Sequence, residues 1–187
     1  MEAGDQAKLR LLLRGGVVTL AAVVALVAWL ATRGDGENGE GSGASTESSS
    51  RIVSRAELAE TAVTLGQPVY WAGAVPGTEL ELEELAEGGV RVRYVPDGGE
   101  AGEGSPAALA IGSYPLADPE AALTAFAERA GSIVRRARDG SEVVSSEALP
   151  TSVYFVSADK TVQVEVYDPS SQRAMRLALS GRVRPVR

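Results

Sequence analysis

The feature that most constrains this 187-residue chain is an uncharged run, Gly15-Gly-Val-Val-Thr-Leu-Ala-Ala-Val-Val-Ala-Leu-Val-Ala-Trp-Leu-Ala-Thr32, bracketed by Arg14 and Arg33. As an α-helix these eighteen residues would be ~27 Å long, close to the ~30 Å hydrocarbon core of a bilayer. Val and Ala occur around its whole circumference, and no other segment is apolar enough to enclose it as a core helix. A transmembrane helix over 15–32 is expected, with the lipid bilayer as its partner. Lys8, Arg10 and Arg14 precede it, whereas Arg33 is followed by Asp35, Glu37 and Glu40. This bias predicts a cytoplasmic tail over 1–14, a single pass through the cell membrane, and an extracytoplasmic remainder. A cleaved signal peptide is the rival. Against it, the run exceeds the usual apolar region of ~7–15 residues, and Leu26-Val-Ala28 and Trp29-Leu-Ala31 are poor small-x-small cleavage sites.

Residues 33–50 carry Gly, Ser, Glu and Asp but no large apolar side chain, so burial cannot offset the entropy of ordering them. They read as a disordered linker with a reach of ~20–25 Å. Asp35, Glu37, Asn38 and Glu40 fail the spacing of a calcium-binding loop. The remaining stretch, 51–187, is long enough for one domain and holds 14 basic and 19 acidic residues, a charge of −5 that disfavours nucleic acid and anionic lipid as partners.

Periodicity predicts an α+β domain with a mainly antiparallel sheet and about three helices. Ser54-Arg-Ala-Glu57 is a capping box opening a helix that Gly66 closes. Pro68–Ala72 reads as a short strand. Thr78–Glu83 and Val90–Tyr94 alternate strictly and form a hairpin in which Leu82 faces Val92 and Leu80 faces Tyr94 on the core side. Glu81 and Glu83 then pair with Arg93 and Arg91 on a wet face, where Glu81→Gln would cost about 1 kcal/mol or less. Ala107–Tyr114 is a further strand, and Asp118-Pro119 caps a helix running to about Ala130. Edge strands follow around Asp139-Gly140, then a hairpin of Ser152–Val156 with Thr161–Tyr167, then a last helix after Asp168-Pro169 that ends at Gly181. Tyr114-Pro-Leu-Ala-Asp-Pro and Tyr167-Asp-Pro form a loose echo that helix capping alone explains.

The chain has no histidine and no cysteine, which removes the commonest general base, the commonest metal ligand and any thiol chemistry. No catalytic, cofactor-binding or metal-binding residue is assigned, no cofactor is implied, and the domain is expected not to be an enzyme. Three weaker features remain. Asp97–Gly104 is glycine-rich but acidic and lacks a P-loop lysine, so it reads as an exposed loop. Arg135, Arg136 and Arg138 read as a solvated edge, and Lys160, the conceivable base for a serine, falls in a turn where it would stay protonated. As a contact surface the best choice is Tyr70, Trp71, Pro76 and Gly77, an aromatic pair running into a Gly/Pro segment, with core packing of Trp71 as the alternative.

The runs Pro68-Val-Tyr-Trp-Ala-Gly73, Val90-Arg-Val-Arg-Tyr-Val-Pro96, Ser152-Val-Tyr-Phe155 and Val164-Glu-Val-Tyr-Asp-Pro169 resemble those of uncharacterised single-pass membrane proteins of actinobacteria. The resemblance covers most of 51–187. It implies an anchored exterior domain and transfers no functional residue. The expected role is a binding or accessory module at the cell envelope, with an unidentified protein or envelope component as partner. A component of a larger membrane assembly, or an enzyme with an unrecognised Ser/Lys or carboxylate site, are the alternatives.

Overall fold

The computed structural model describes residues 50–102 and 108–187. The expected tail, transmembrane helix and nearly all of the linker lie outside them. Among the described residues no helix is long and apolar enough to cross a membrane.

Ten strands and three α-helices follow one another as β1 (Ser50–Val53), α1 (Arg55–Leu65), β2 (Tyr70–Trp71), β3 (Thr78–Glu84), β4 (Val90–Pro96), β5 (Ala110–Pro115), α2 (Pro119–Ala127), β6 (Ser132–Arg136), β7 (Glu142–Ser146), β8 (Ser152–Val156), β9 (Val162–Tyr167), α3 (Ser171–Leu179) and β10 (Arg184–Pro185). The main sheet has eight strands in the order β1-β3-β4-β5-β9-β8-β7-β6, and β10 pairs with β2 in a separate ribbon. Every pairing is antiparallel. The α+β class with a mainly antiparallel sheet and three helices is therefore as expected.

Local chemistry accounts for the helix ends. Ser54 and Glu57 form the reciprocal capping box of α1, and Gly66 closes that helix in the left-handed conformation that glycine adopts without a Cβ penalty. The Asp118 side chain accepts from Ala121 N–H at the start of α2, with Pro119 in the first turn. That helix stops at Ala127, short of the expected Ala130. The cap of α3 is Ser170 and not Asp168, whose carboxylate instead accepts from Ser170 N–H. The two helices of the Asp-Pro echo also lie on opposite faces of the sheet, as their packing below shows, so the echo is one of helix starts and not of duplicated halves.

The β3–β4 register is the one that the apolar alternation requires: Leu82 opposite Val92, Leu80 opposite Tyr94, Glu81 opposite Arg93 and Glu83 opposite Arg91. Carried across the sheet, the pleat puts Leu82, Val92, Ile111, Val164, Val166, Val153 and Val143 on one face, where they form the principal core with Leu58 of α1, the β2 ribbon, and Ala174 and Ala178 of α3. The opposite face carries Glu81, Arg93, Gly112, Glu165 and Tyr154. There α2 is seated by an edge-to-face contact of Phe126 with Tyr154, ring centroids 5.4 Å apart.

Two expectations need correction. The folded domain does not open with the helix at Ser54: Ser50–Val53 precede it as β1, held on the end of the sheet by pairing with β3. Nor is the charged face wet. Glu81 is 0% exposed, and Glu83 and Arg91 are buried with it. The cover comes partly from the glycine-rich segment after β4, which folds back so that Gly98 N–H donates to Glu79 (3.1 Å) and Gly102 N–H donates to Glu81 (2.7 Å). The far edge of the sheet is β6, where Ile133 and Val134 are 39% and 47% exposed next to the exposed Arg135 and Arg136.

Candidate functional site

Two polar constellations stand out, one enclosed and one open. The enclosed one crosses five strands on the charged face. Arg93 is 3.0 Å from Glu81 and 3.9 Å from Glu83, and Arg91 is 3.0 Å from Glu83. Arg91 also hydrogen-bonds Tyr114, whose hydroxyl donates to Glu165 Oε2 at 2.8 Å. The other oxygen of Glu165 accepts from Ser152 (2.7 Å) and Tyr154 (3.2 Å). Burial, reinforced by the Glu165 charge, pushes the Tyr114 and Tyr154 phenols far above their ordinary range, which keeps both protonated and able to donate. A serine and a carboxylate thus converge, but inside the protein and with hydroxyls as donors. The chemistry of this cluster is structural: its carboxylates and guanidinia are paired with one another or with hydroxyls, although Glu81 Oε2 and Arg93 Nε are buried without a hydrogen bond.

The open constellation is a cleft of about 560 Å³ lined by Arg55, Trp71, Gly73, Ala74, Arg184, Pro185 and Arg187. Its floor is the β2–β10 ribbon, in which Arg184 faces Trp71 and Pro185 faces Tyr70, extended by Val186 N–H donating to Val69. Tyr94 braces the wall: its hydroxyl accepts from Ala72 N–H (2.7 Å) and donates to Gly73 carbonyl (3.0 Å). Gly73 and Gly77 both take positive φ, +79° and +76°, which lets the chain swing from the ribbon into β3. The first residue of α1 supplies Arg55, which donates to the main-chain oxygen of Arg187 at 2.6 Å and so draws the ends of the domain together.

Among the described residues no side-chain carboxylate pairs with Arg55, Arg184 or Arg187, and Arg55 is instead satisfied by the main-chain oxygen of Arg187, the last residue of the sequence. The nearest acid in the first turn of α1, Glu57, is committed to Ser54 N–H at 2.7 Å. The cleft therefore offers guanidinium donors beside an indole edge and small side chains. None of its lining side chains is a general base or a nucleophile.

Of the residues expected at a contact surface, Tyr70 and Trp71 are drawn into the core, Tyr70 meeting Phe155 edge to face, while Pro76 and Gly77 are exposed. Trp71 is 8% exposed, and its cleft-facing part is what remains of a surface role. Lys160 sits in an exposed turn and pairs with Glu120 at 3.0 Å. Arg135, Arg136 and Arg138 are solvated as expected. No cluster of Asp and Glu able to hold a metal ion occurs among the described residues. The arginines of the cleft went unnoticed in the sequence. The one available signal was the alternation of Arg182-Val-Arg184, the pattern of β4 repeated at the other end of the domain, with Val183 buried. Comparison with protein-family models, with curated proteins and with solved structures found no match for this chain.

Proposed function

We propose that this is a single-pass membrane protein whose extracytoplasmic domain acts by contact, as a binding or accessory module at the cell envelope, with the arginine–tryptophan cleft as its contact site. The observation that carries the reading is the cleft: an open, positively charged recess in an otherwise acidic domain, next to the exposed Pro76-Gly77 turn. The anchor rests on the apolar run 15–32 and its flanking charges. The absence of histidine and cysteine from the chain weighs against catalysis.

The test is retention of partners from gently solubilised membranes by the wild type and by Ala74→Trp, a change at an exposed position that fills the cleft without touching the core. Loss of a specific partner with unchanged melting temperature supports the reading, and identical partner sets refute the cleft as the contact site. Protease added to spheroplasts should release the domain by cutting between Arg33 and Arg51, and protection of the whole chain would reverse the topology.

A further inference from the structure

Apart from the cleft, we propose that β6 is a docking edge: it takes up, as an added strand, an extended segment of a partner protein that carries two acidic residues followed by two β-branched ones. β6 is last in the sheet order, so among the described residues no strand lies on its outer side, and its outward N–H and C=O groups form an open template. Most devices that blunt such an edge are missing from it. Ser132–Arg136 contain neither proline nor lysine, and they pair with β7 residue for residue without a bulge. Ile133 and Val134 stand exposed there as adjacent β-branched side chains, a surface that an added strand covers well.

What remains on the edge is charge, and charge selects the occupant. Ile133 and Arg135 share one face of the sheet and Val134 and Arg136 the other, so each face offers one apolar side chain and one guanidinium. Arg51, on the opposite edge, is already engaged by Glu84 (3.2 Å) and Thr61 (3.3 Å). Arg135 has no such carboxylate among the described residues, and Arg136 reaches Glu142 only at 3.8 Å, both side chains being more than half exposed. A second copy of β6, antiparallel with all four residues paired, would set Arg135 against Val134 and Arg136 against Ile133, and so disfavours itself. The acidic run 33–50 of the same chain has no large apolar residue to cover Ile133 and Val134, and it enters the domain at β1, seven strand spacings or ~33 Å from β6. A partner strand reading Glu-Glu-Val-Ile, antiparallel like every pairing in this sheet, puts its acids opposite Arg136 and Arg135 and its apolar residues opposite Val134 and Ile133. On the inner side β7 meets β6 partly in this way, with Glu142 opposite Arg136 and Val144 opposite Val134.

The test titrates the full chain, in detergent, into a fluorescein-labelled peptide Thr-Glu-Glu-Val-Ile-Thr and reads fluorescence anisotropy. Saturable binding is expected, weaker by about tenfold or more for the Lys-Lys counterpart of the peptide. Of two peptides N-methylated at alternate residues, the one whose blocked N–H groups face β6 should lose binding, and the other should keep it. Arg135→Glu combined with Arg136→Glu should exchange the preference in favour of the Lys-Lys peptide, with the melting temperature unchanged because both positions are exposed. If that double reversal does lower the melting temperature, Arg135→Gln with Arg136→Gln carries the test, and the preference for Glu-Glu over Lys-Lys should vanish. Ala74→Trp, which fills the cleft, should leave peptide binding as it is, so failure here and failure of the cleft as a contact site are separate results. No saturable binding of the Glu-Glu peptide, a preference that survives the change of both arginines, or indifference to both N-methylation patterns overturns the proposal. Loss of peptide binding in Ala74→Trp moves the peptide to the cleft and overturns it equally.

Discussion

Glu165 lies directly opposite Gly112 across the β5–β9 pair, yet the hydroxyl that β5 sends to its carboxylate is that of Tyr114, two residues further along the strand. The reason is the missing side chain: the Tyr114 ring leans back over Gly112, into space that a Cβ there would occupy. Gly112→Ala should push the ring away and deprive Glu165 of a donor, costing about 2–5 kcal/mol from overpacking and a broken buried hydrogen bond together. Tyr114→Phe keeps the ring and removes only the donor, for about 1–3 kcal/mol. Denaturant midpoints give the order, and a neutral Gly112→Ala would refute this placement of the ring.

Burial also changes what the Glu81–Arg93 pair is worth. On a wet face Glu81→Gln would cost about 1 kcal/mol or less, but at 0% exposure it leaves Arg93 facing a neutral amide inside the protein, and the expected cost rises to about 3 kcal/mol or more. Glu60→Gln, on the exposed side of α1, should stay within about 0.5 kcal/mol. Thermal melts of the two variants side by side check the difference.

Alkaline stability should follow the buried tyrosines. Burial pushes the Tyr94 phenol from 10.0 up to about 12, only partly countered by its bond to Ala72 and by nearby Arg182. Between those two pH values the folded chain keeps a proton that the unfolded chain loses, so stability is full below pH 10 and falls as pH rises towards 12. Tyr94 alone accounts for about 3 kcal/mol of that loss. Tyr70, Tyr114 and Tyr154 shift in the same direction. Tyr94→Phe should therefore flatten the decline in part, and the absorbance of these four buried tyrosines as tyrosinates should rise together with unfolding.

Trp71 decides between core and surface in a measurable way. With 8% of it exposed, Trp71→Ala should cost about 3–5 kcal/mol, as for other buried aromatic side chains. Arg184→Gln, its exposed neighbour across the ribbon, should leave the melting temperature nearly unchanged. Equal melting temperatures for the two variants would mean that the ribbon does not pack as described.

Strict alternation made the β3–β4 register legible, because a one-residue slip would put Leu80 and Leu82 on the wrong face. The cap of α1 was legible for a similar reason: Ser54, Glu57 and Gly66 act through local hydrogen bonds. What escaped reading depends on distant contacts. The four residues of β1 and the two of β10 carry too short a pattern, and pairing with β3 and β2 defines them. Alternation tells which side chains share a face, but not whether something covers that face, so the burial of Glu81 and Glu83 waited on the fold of the segment over them. The cleft is the extreme case, since Arg55 and Arg184 meet only because the last strand closes against the second.

The two ends of the sheet carry a consequence for behaviour at high concentration. Arg51 in β1 and Arg135 and Arg136 in β6 occupy the strands whose outer hydrogen-bonding groups have no neighbour in the sheet. A second copy sliding in to continue the ladder at β6 would have to desolvate those guanidinia beside Ile133 and Val134. The arginines thus act as bumpers against fibre growth, and a chain carrying threonine at 135 and 136 should scatter light at concentrations where the wild type stays clear.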